Sequence, residues 1–325
     1  MKKTLVAISI VATATVGIAQ ACTTAVYNNG DAHLTVRTMD WFGHDDAVVV
    51  GTGVGMVHTY SETDGLKTPA KYAAMKIESF TPGLVAEAMN EEGLEARILY
   101  LSTDAGTQFA EDRPDVKNVD AASVPRWAVD NFATVADVIN ALDEVDVIPT
   151  EVCDLPNHEG ECLYPPVHYQ FTDAQGNTAV VEFIDGKMQA YTEDGSAYMS
   201  NDPEFSVHLI LDAEATEAGS TIRAYDRRLR AKSVIADMYA RDVTDNAQAK
   251  ASIKAVGATV FAGYDQVDPY VNNVFPTLWT IYTDRDAKEW QLDRYDTWHV
   301  ERYGFDMFDG NEAKRVVLGT HPKAQ

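Results

Sequence analysis

Hydrophobic and polar positions alternate early in this chain. Thr23, Thr24, Val26 and Tyr27 favour a strand, Asn28-Asn29-Gly30-Asp31 marks a tight turn, and Ala32 to Met39 reads as the returning strand. Asn29-Gly30 suits the centre of a type I′ hairpin. With Asn28 opposite Asp31, the register carries Cys22 opposite Arg37. Directly opposed residues share a face, about 5 Å apart. Asp40 then points to the other face unless the strand bends near Met39.

The rest of the pattern predicts further elements. Val48 to Tyr60 reads as strand interrupted by Gly51, Gly53 and Gly55. No helix signature or Lys-Ser/Thr follows, so these glycines mark bends or bulges, not a phosphate loop. Leu84 to Leu101 turns at Asn90–Gly93 and predicts a second hairpin. Val124 to Val145 carries apolar residues at helical spacing, with a helix start at Thr134-Val-Ala-Asp137. His168 to Tyr191 predicts three strands, Asp226–Tyr239 and Asp245–Val256 two helices, and Leu278–Asp284 with Trp290–Tyr295 another hairpin. This order predicts an α+β fold of mainly antiparallel sheets covered by helices.

The first 21 residues have a different character. Met1-Lys2-Lys3, the apolar run Leu5 to Ile18 and Ala19-Gln20-Ala21 form a charged start, an apolar core and a small-x-small cleavage site. They predict a signal peptide over 1–21, export to the periplasm and a mature domain over 22–325. After that run no apolar stretch is long enough to span a bilayer.

Length and composition bound the rest. A chain of 325 residues, 46% hydrophobic, can bury a sizeable core in one large domain. The formal charge of −24 argues against nucleic acid or an anionic membrane as partner. Cys153 and Cys162 flank a loop containing Pro and Gly and could form a local disulfide, which leaves Cys22 odd.

Cleavage after Ala21 would make Cys22 the first residue, with thiol and α-amine on one Cα. The amine, with a pKa near ~8, can serve as base for its own thiol. The same junction could carry a lipid-modified cysteine, although such sites usually have Leu where Ala19 stands, or it could be coincidental. There is no G-x-S-x-G elbow and no H-E-x-x-H, and the eight histidines are scattered. His158 and His168 read as loop and strand residues. No metal or other cofactor is expected.

Ordered motifs then narrow the reading. Cys22-Thr23, R-x-M-D at 37–40, M-N-E-x-G-L at 89–94, H-Y-x-x-x-D-x-x-G at 168–176, S-N-D-P-x-F at 200–205 and D-R-R-L-R-A at 226–231 resemble the choloylglycine hydrolase family. That family contains bile salt hydrolases and penicillin V acylases. The resemblance implies a four-layer αββα N-terminal nucleophile fold and hydrolysis of a linear carbon–nitrogen amide bond. It implies Cys22 as nucleophile, with Arg37, Asp40 and Arg227 around it. Asn201 and the backbone N–H of Tyr100 are the implied oxyanion donors.

The chain departs from many relatives in having only 25 residues between Asn201 and Arg227. With the signal peptide, this resembles the Gram-negative branch. A homo-oligomer, tetrameric in the family, is the implied assembly. Tyr100 stands where bile salt hydrolases tend to have Asn, which favours an aromatic or fatty acyl group, as in penicillin V or an N-acyl homoserine lactone. Trp41, Phe80 and Met89 are candidate acyl-pocket residues. Two other readings compete: a lipid-anchored periplasmic binding protein without catalysis, and a hydrolase of lipid amides resembling acid ceramidase.

Overall fold

The computed structural model describes residues 22–63, 66–113, 115–156, 158–193, 195–268 and 272–322. The predicted signal peptide lies outside them. Fourteen strands build two large sheets. In chain order they are β1 (Thr23–Asn29), β2 (Ala32–Asp40), β3 (Val48–Thr52), β4 (Ala74–Glu78), β5 (Val85–Asn90), β6 (Glu95–Tyr100) and β7 (Val167–Thr172). They continue as β8 (Thr178–Ile184), β9 (Lys187–Tyr191), β10 (Tyr198–Ser200), β11 (Thr277–Asp284), β12 (Glu289–Arg294), β13 (His299–Gly304) and β14 (Arg315–Gly319). The first sheet runs β10-β1-β2-β11-β12-β13 and the second β9-β8-β7-β6-β5-β4-β3-β14, all antiparallel.

Helices cover the outer faces. α1 (Val124–Asn131) packs on β5 and β6, and α2 (Val135–Leu142) follows it. α3 (Phe205–Glu214) follows β10. α4 (Ala224–Ala240) and α5 (Asn246–Val260) pack on β1 and β2. The result is the four-layer αββα architecture.

Strand alternation sorts side chains between layers. Ala25, Tyr27, Leu34 and Val36 join Ile235, Met238, Ile253 and Val256 under α4 and α5. The opposite face of β1 and β2 carries Cys22 and Met39 into a core between the sheets with Met75, Met89, Trp279 and Trp290. Thr38 and Asp40 therefore sit on the helix side, and Arg37 on the inter-sheet side.

The first hairpin differs from its predicted register. Asn29 pairs with Ala32 and Thr24 with Arg37, so Gly30 and Asp31 form the connection. Gly30 has φ +58°, and glycine at the first central position is what a type II′ turn uses. Tertiary contacts explain the shift. The Asp31 N–H donates to the Thr244 carbonyl at 3.2 Å, and the Asn28 amide is engaged by the Gly176 carbonyl. A two-residue displacement preserves faces, so Arg37 stays on the side of Cys22, diagonal to it instead of opposite.

The predicted helix over 124–145 is two helices and the start of a strand. The Asn90 side-chain amide takes the carbonyls of Val129 (2.9 Å) and Phe132 (2.7 Å), which ends α1. Thr134 then caps α2 by accepting from the Asp137 N–H. The glycines after Val48 do mark a bend. At Gly53 a β-carbon would lie 2.0 Å from the Glu312 carbonyl oxygen, so only glycine fits.

Candidate active site

Cys22 precedes β1 and is buried between the sheets. Its thiol lies against the backbone of Asp40, 3.4 Å from the N–H and 3.6 Å from the carbonyl oxygen. The Cys22 carbonyl accepts from the Ser200 hydroxyl at 2.8 Å, and the Thr23 N–H donates to the Thr38 hydroxyl at 3.1 Å. The cysteine backbone is thus pinned from both neighbouring strands. Burial pushes the thiol above its ordinary pKa, although Arg37 pulls the other way. The lowering expected from a nearby cation is outweighed by desolvation. The thiol needs a base at the moment it reacts.

Arg37 is buried, and its guanidinium lies 4.4 Å from the centre of the Trp279 ring. Nη2 donates to the Ile98 carbonyl at 3.3 Å. Its Nε and Nη1 have no hydrogen-bond partner among the described residues. A buried cation without a carboxylate partner is costly and favours negative charge nearby.

Asp40 contacts the thiol only through its backbone. β2 stays regular through Asp40, and the irregularity falls on β11 between Thr277 and Trp279. Without a bend near Met39, Asp40 keeps to the face opposite Cys22, as strand alternation predicts. The Asp40 carboxylate faces α4, where it accepts from Arg227 Nη2 at 2.6 Å, Thr38 at 2.8 Å and the Thr277 hydroxyl. Arg227 also reaches Thr38, 3.1 Å away, so Arg227, Thr38 and Asp40 form one buried support beneath the start of β1.

Asn201 comes beside Cys22 through strand pairing. Thr23 pairs with Ser200, so the next step of the register sets Asn201 opposite Cys22. Its amide is fully buried, with neither Oδ1 nor Nδ2 hydrogen-bonded among the described residues. Orphan buried amides are rare in folded proteins and each calls for an explanation. The Asn201 carbonyl accepts from His208 Nε2 at 2.9 Å.

Tyr100 closes β6 where the second sheet splits. Pairing of β5 with β6 runs from Met89–Glu95 to Glu87–Arg97 and stops. Ala86 is the extra residue of a bulge, since Ile77 pairs with Glu87 but Glu78 with Val85. The Leu101 N–H donates to Pro166, so ladder alternation turns the Tyr100 N–H away from β7, into the opened gap. The Asp202 carboxylate accepts from the Ser102 N–H at 2.8 Å and from its hydroxyl. That contact ties the segment after Tyr100 to the segment after Asn201.

A cavity lies at the gap. Cys22, Arg37, Trp41, Phe80, Leu84, Ile98, Tyr100 and Val152 are among its walls. Its volume is about 70 Å³, room for a few groups the size of a water at roughly 10–15 Å³ each. The Trp41 ring lies 5.4 Å from Phe80 and 6.2 Å from Tyr100, centre to centre. Met89 does not line the cavity. It pairs with Met75 and is fully buried in the inter-sheet core, because its position along β5 lies before the split. Asn201, opposite Cys22 in the register, does not line the cavity, and Asp40 and Arg227 lie on the helix side of the sheet.

Cys153 and Cys162 are disulfide-bonded across a short hairpin of Val152–Cys153 and Cys162–Leu163. Val152 and Leu155 of this hairpin and its loop form part of the cavity wall. Sequence reasoning missed Ser102, Asp202 and His208. Asp202 stood inside the S-N-D-P motif, whereas Ser102 and His208 meet their partners only in the fold.

The family model for linear amide C–N hydrolases of the choloylglycine hydrolase family matches residues 22–216. The chain belongs to this family. It is a hydrolase of linear amide carbon–nitrogen bonds, acting on small molecules. Penicillin V acylase of Pectobacterium atrosepticum is 27% identical over 323 residues, spanning 89% of this chain and 82% of that protein. The structure of penicillin V acylase from Agrobacterium tumefaciens superposes with a TM-score of 0.78 at 24% identity, covering 92% of each chain. A mutant of conjugated bile acid hydrolase from Clostridium perfringens gives 0.77 at 14% identity, covering 91% of this chain and 96% of that one. These likenesses establish the N-terminal nucleophile hydrolase fold.

Proposed function

We propose that this enzyme is exported to the periplasm, loses residues 1–21, and cleaves N-acyl amides of the penicillin V type with Cys22 as N-terminal nucleophile. The observation that carries this reading is that the Cys22 thiol and the Arg37 cation, which has no ion-pair partner among the described residues, share one apolar cavity, while the strand register sets the orphan Asn201 amide opposite Cys22. The family match beginning at Cys22 supports the same terminus.

The chemistry follows from these groups. Burial keeps the thiol protonated, so the α-amine freed on Cys22 takes its proton as the sulfur attacks the amide carbonyl. Arg37 stabilises the negative charge developing on sulfur. The tetrahedral oxyanion then accepts from Asn201 Nδ2 and the Tyr100 N–H. One such donor contributes about 3 kcal/mol in the transition state. The ammonium protonates the departing amine, leaving a thioester on Cys22. Finally the amine deprotonates a water, which attacks the thioester and releases the acid. Arg227 and Asp40 hold the start of β1 in place.

The aromatic wall of Trp41, Phe80 and Tyr100 supports an aromatic or fatty acyl group, such as phenoxyacetyl or an alkyl chain. N-acyl homoserine lactones fit the same description. A homo-oligomer is part of this reading, supported by Trp298, 92% exposed just before the edge strand β13, and Val300, 62% exposed on it.

The test is the intact mass and N-terminal sequence of the exported protein, followed by hydrolysis of penicillin V, N-acyl homoserine lactones and conjugated bile salts. The expected terminus is unmodified Cys22, and Cys22→Ser should lose nearly all activity. A lipidated Cys22 supports the binding-protein reading instead. Full activity of a correctly processed Cys22→Ser enzyme removes the nucleophile assignment, and preference for bile salts removes the substrate assignment.

A further inference from the structure

Two histidines and two aspartates meet outside the set of residues that line the cavity. His44 and Asp46 belong to the segment between β2 and β3 that begins with Trp41. Asp296 follows β12 and His321 follows β14. His44 Nε2 lies 2.6 Å from Asp46 Oδ1, and His321 Nδ1 lies 3.8 Å from the same oxygen. The other ring nitrogens turn to Asp296, with His321 Nε2 at 2.8 Å and His44 Nδ1 at 3.6 Å from its Oδ2. The two rings meet edge to face, 83° apart.

We propose that His44, His321 and Asp46 bind a divalent zinc-class ion, with Asp296 orienting both imidazoles from behind. Ligand atoms of the three residues lie within 4.8 Å of one another. Ligands about 2.0–2.1 Å from a tetrahedral zinc stand roughly 3.3 Å apart. The separations of 2.6 and 3.8 Å straddle that value, so small side-chain adjustments suffice. Metal-bound histidines commonly donate their second N–H to a carboxylate, which fixes tautomer and orientation. Asp296 stands at that distance from His321 Nε2, 2.8 Å, and a shift of under about 1 Å would bring it to His44 Nδ1, now 3.6 Å away. Two neutral imidazoles with a carboxylate select borderline first-row ions over calcium or magnesium, which prefer oxygen.

A plain pair of surface ion pairs accounts for each contact separately, but not for the crossed arrangement in which each imidazole meets both carboxylates. His321 also has a side chain only 7% exposed, so one ligand is already ordered. The site would cross-link the Trp41 segment to the stretch after β14. Asp45 already anchors that segment, accepting from the Phe80 N–H at 2.9 Å and Trp279 Nε1 at 2.8 Å.

The experiment is calorimetric titration of ZnCl₂ into untagged, chelator-treated, full-length processed protein carrying Cys22→Ser, which removes chelation by the active-site thiol. One saturable site per chain is expected, with a rise in Tm. His44→Ala and His321→Ala should each weaken binding at least tenfold, and Asp296→Asn by 10- to 100-fold at unchanged stoichiometry. His44 is more than half exposed, so its replacement leaves the fold intact and the test readable even if His321→Ala misfolds. Absence of saturable binding, or equal affinity in the His44→Ala protein, overturns the proposal. Calcium binding at the same affinity as zinc also overturns it.

Discussion

Asp202 accepts two hydrogen bonds from Ser102, one from its N–H at 2.8 Å and one from its hydroxyl. Asp202 directly follows Asn201, and Ser102 lies two residues beyond Tyr100. The carboxylate therefore fixes the two proposed oxyanion donors relative to each other, although it touches neither. Donors contribute fully only when preorganised at the oxyanion position. Asp202→Ala should lower kcat about tenfold with KM nearly unchanged, less than the 10²- to 10³-fold loss expected for Asn201→Ala. Steady-state kinetics on both variants check this. An equal rise in KM would mean that Asp202 shapes substrate binding instead.

His208 supports Asn201 from the other side. Burial, helped by the nearby Arg228 charge, depresses its pKa to about 3, so the ring is neutral at ordinary pH. Its single proton belongs on Nε2, because that atom donates to the Asn201 carbonyl. A buried carbonyl that loses its donor costs about 1–3 kcal/mol. His208→Phe should reduce kcat about tenfold, and His208→Gln, which keeps a donor, should restore most of it. Neither substitution should remove a step from the kcat profile between pH 4 and 8. Loss of such a step would show that His208 titrates in catalysis.

These supports explain how much of the site was legible beforehand. Cys22, Arg37 and Asp40 lie within one hairpin, and Asn201 and Arg227 carry local motifs, so pattern was enough to gather them. Pattern could not set the hairpin register, because the contact of Asp31 with Thr244 decides it. Nor could it break the helix after Asn131, since the competing donor is the distant Asn90. An apolar strand residue such as Met89 reads alike in core and cavity, so pattern does not separate the two. The split of β5 from β6 at Ala86 makes the difference. The meeting of His44 with His321 depends on the placement of the last strand, which no local periodicity encodes.

The disulfide-bonded hairpin bears on substrate affinity. Cys153 and Cys162 hold together a loop whose Val152 and Leu155 side chains face the cavity. A cross-link limits the conformations of the loop it closes. Replacing both cysteines by Ser should raise KM several-fold and leave kcat within about twofold, since the thiol and its support lie on other strands. Kinetics of the double variant with a phenoxyacetyl amide would check this. A collapse of kcat at constant KM would tie the hairpin to the chemical step.

Glu87 predicts an unusual pH dependence of stability. It shares Arg97 with Glu95, with contacts of 3.0 Å to each. Burial pushes both carboxylates upward, but Glu95 also faces Arg285 and accepts from Thr35 at 2.6 Å, and these contacts hold it below its usual value. At Glu87 burial and the charge of the neighbouring Glu95 outweigh the pull of Arg97 and Arg37, raising its pKa from 4.5 to about 7. The native state then binds this proton more tightly than the unfolded chain. Its contribution is fully present below pH 4.5 and is lost as pH rises through 7. Relative to Glu87→Gln, the wild type should lose about 3 kcal/mol across that interval and run parallel above it. Urea unfolding of both proteins from pH 4.5 to 8 measures the difference directly, and the comparison cancels groups common to both, including His208. Parallel curves over the whole range would mean that Glu87 stays ionised and that Arg97 compensates its burial in full.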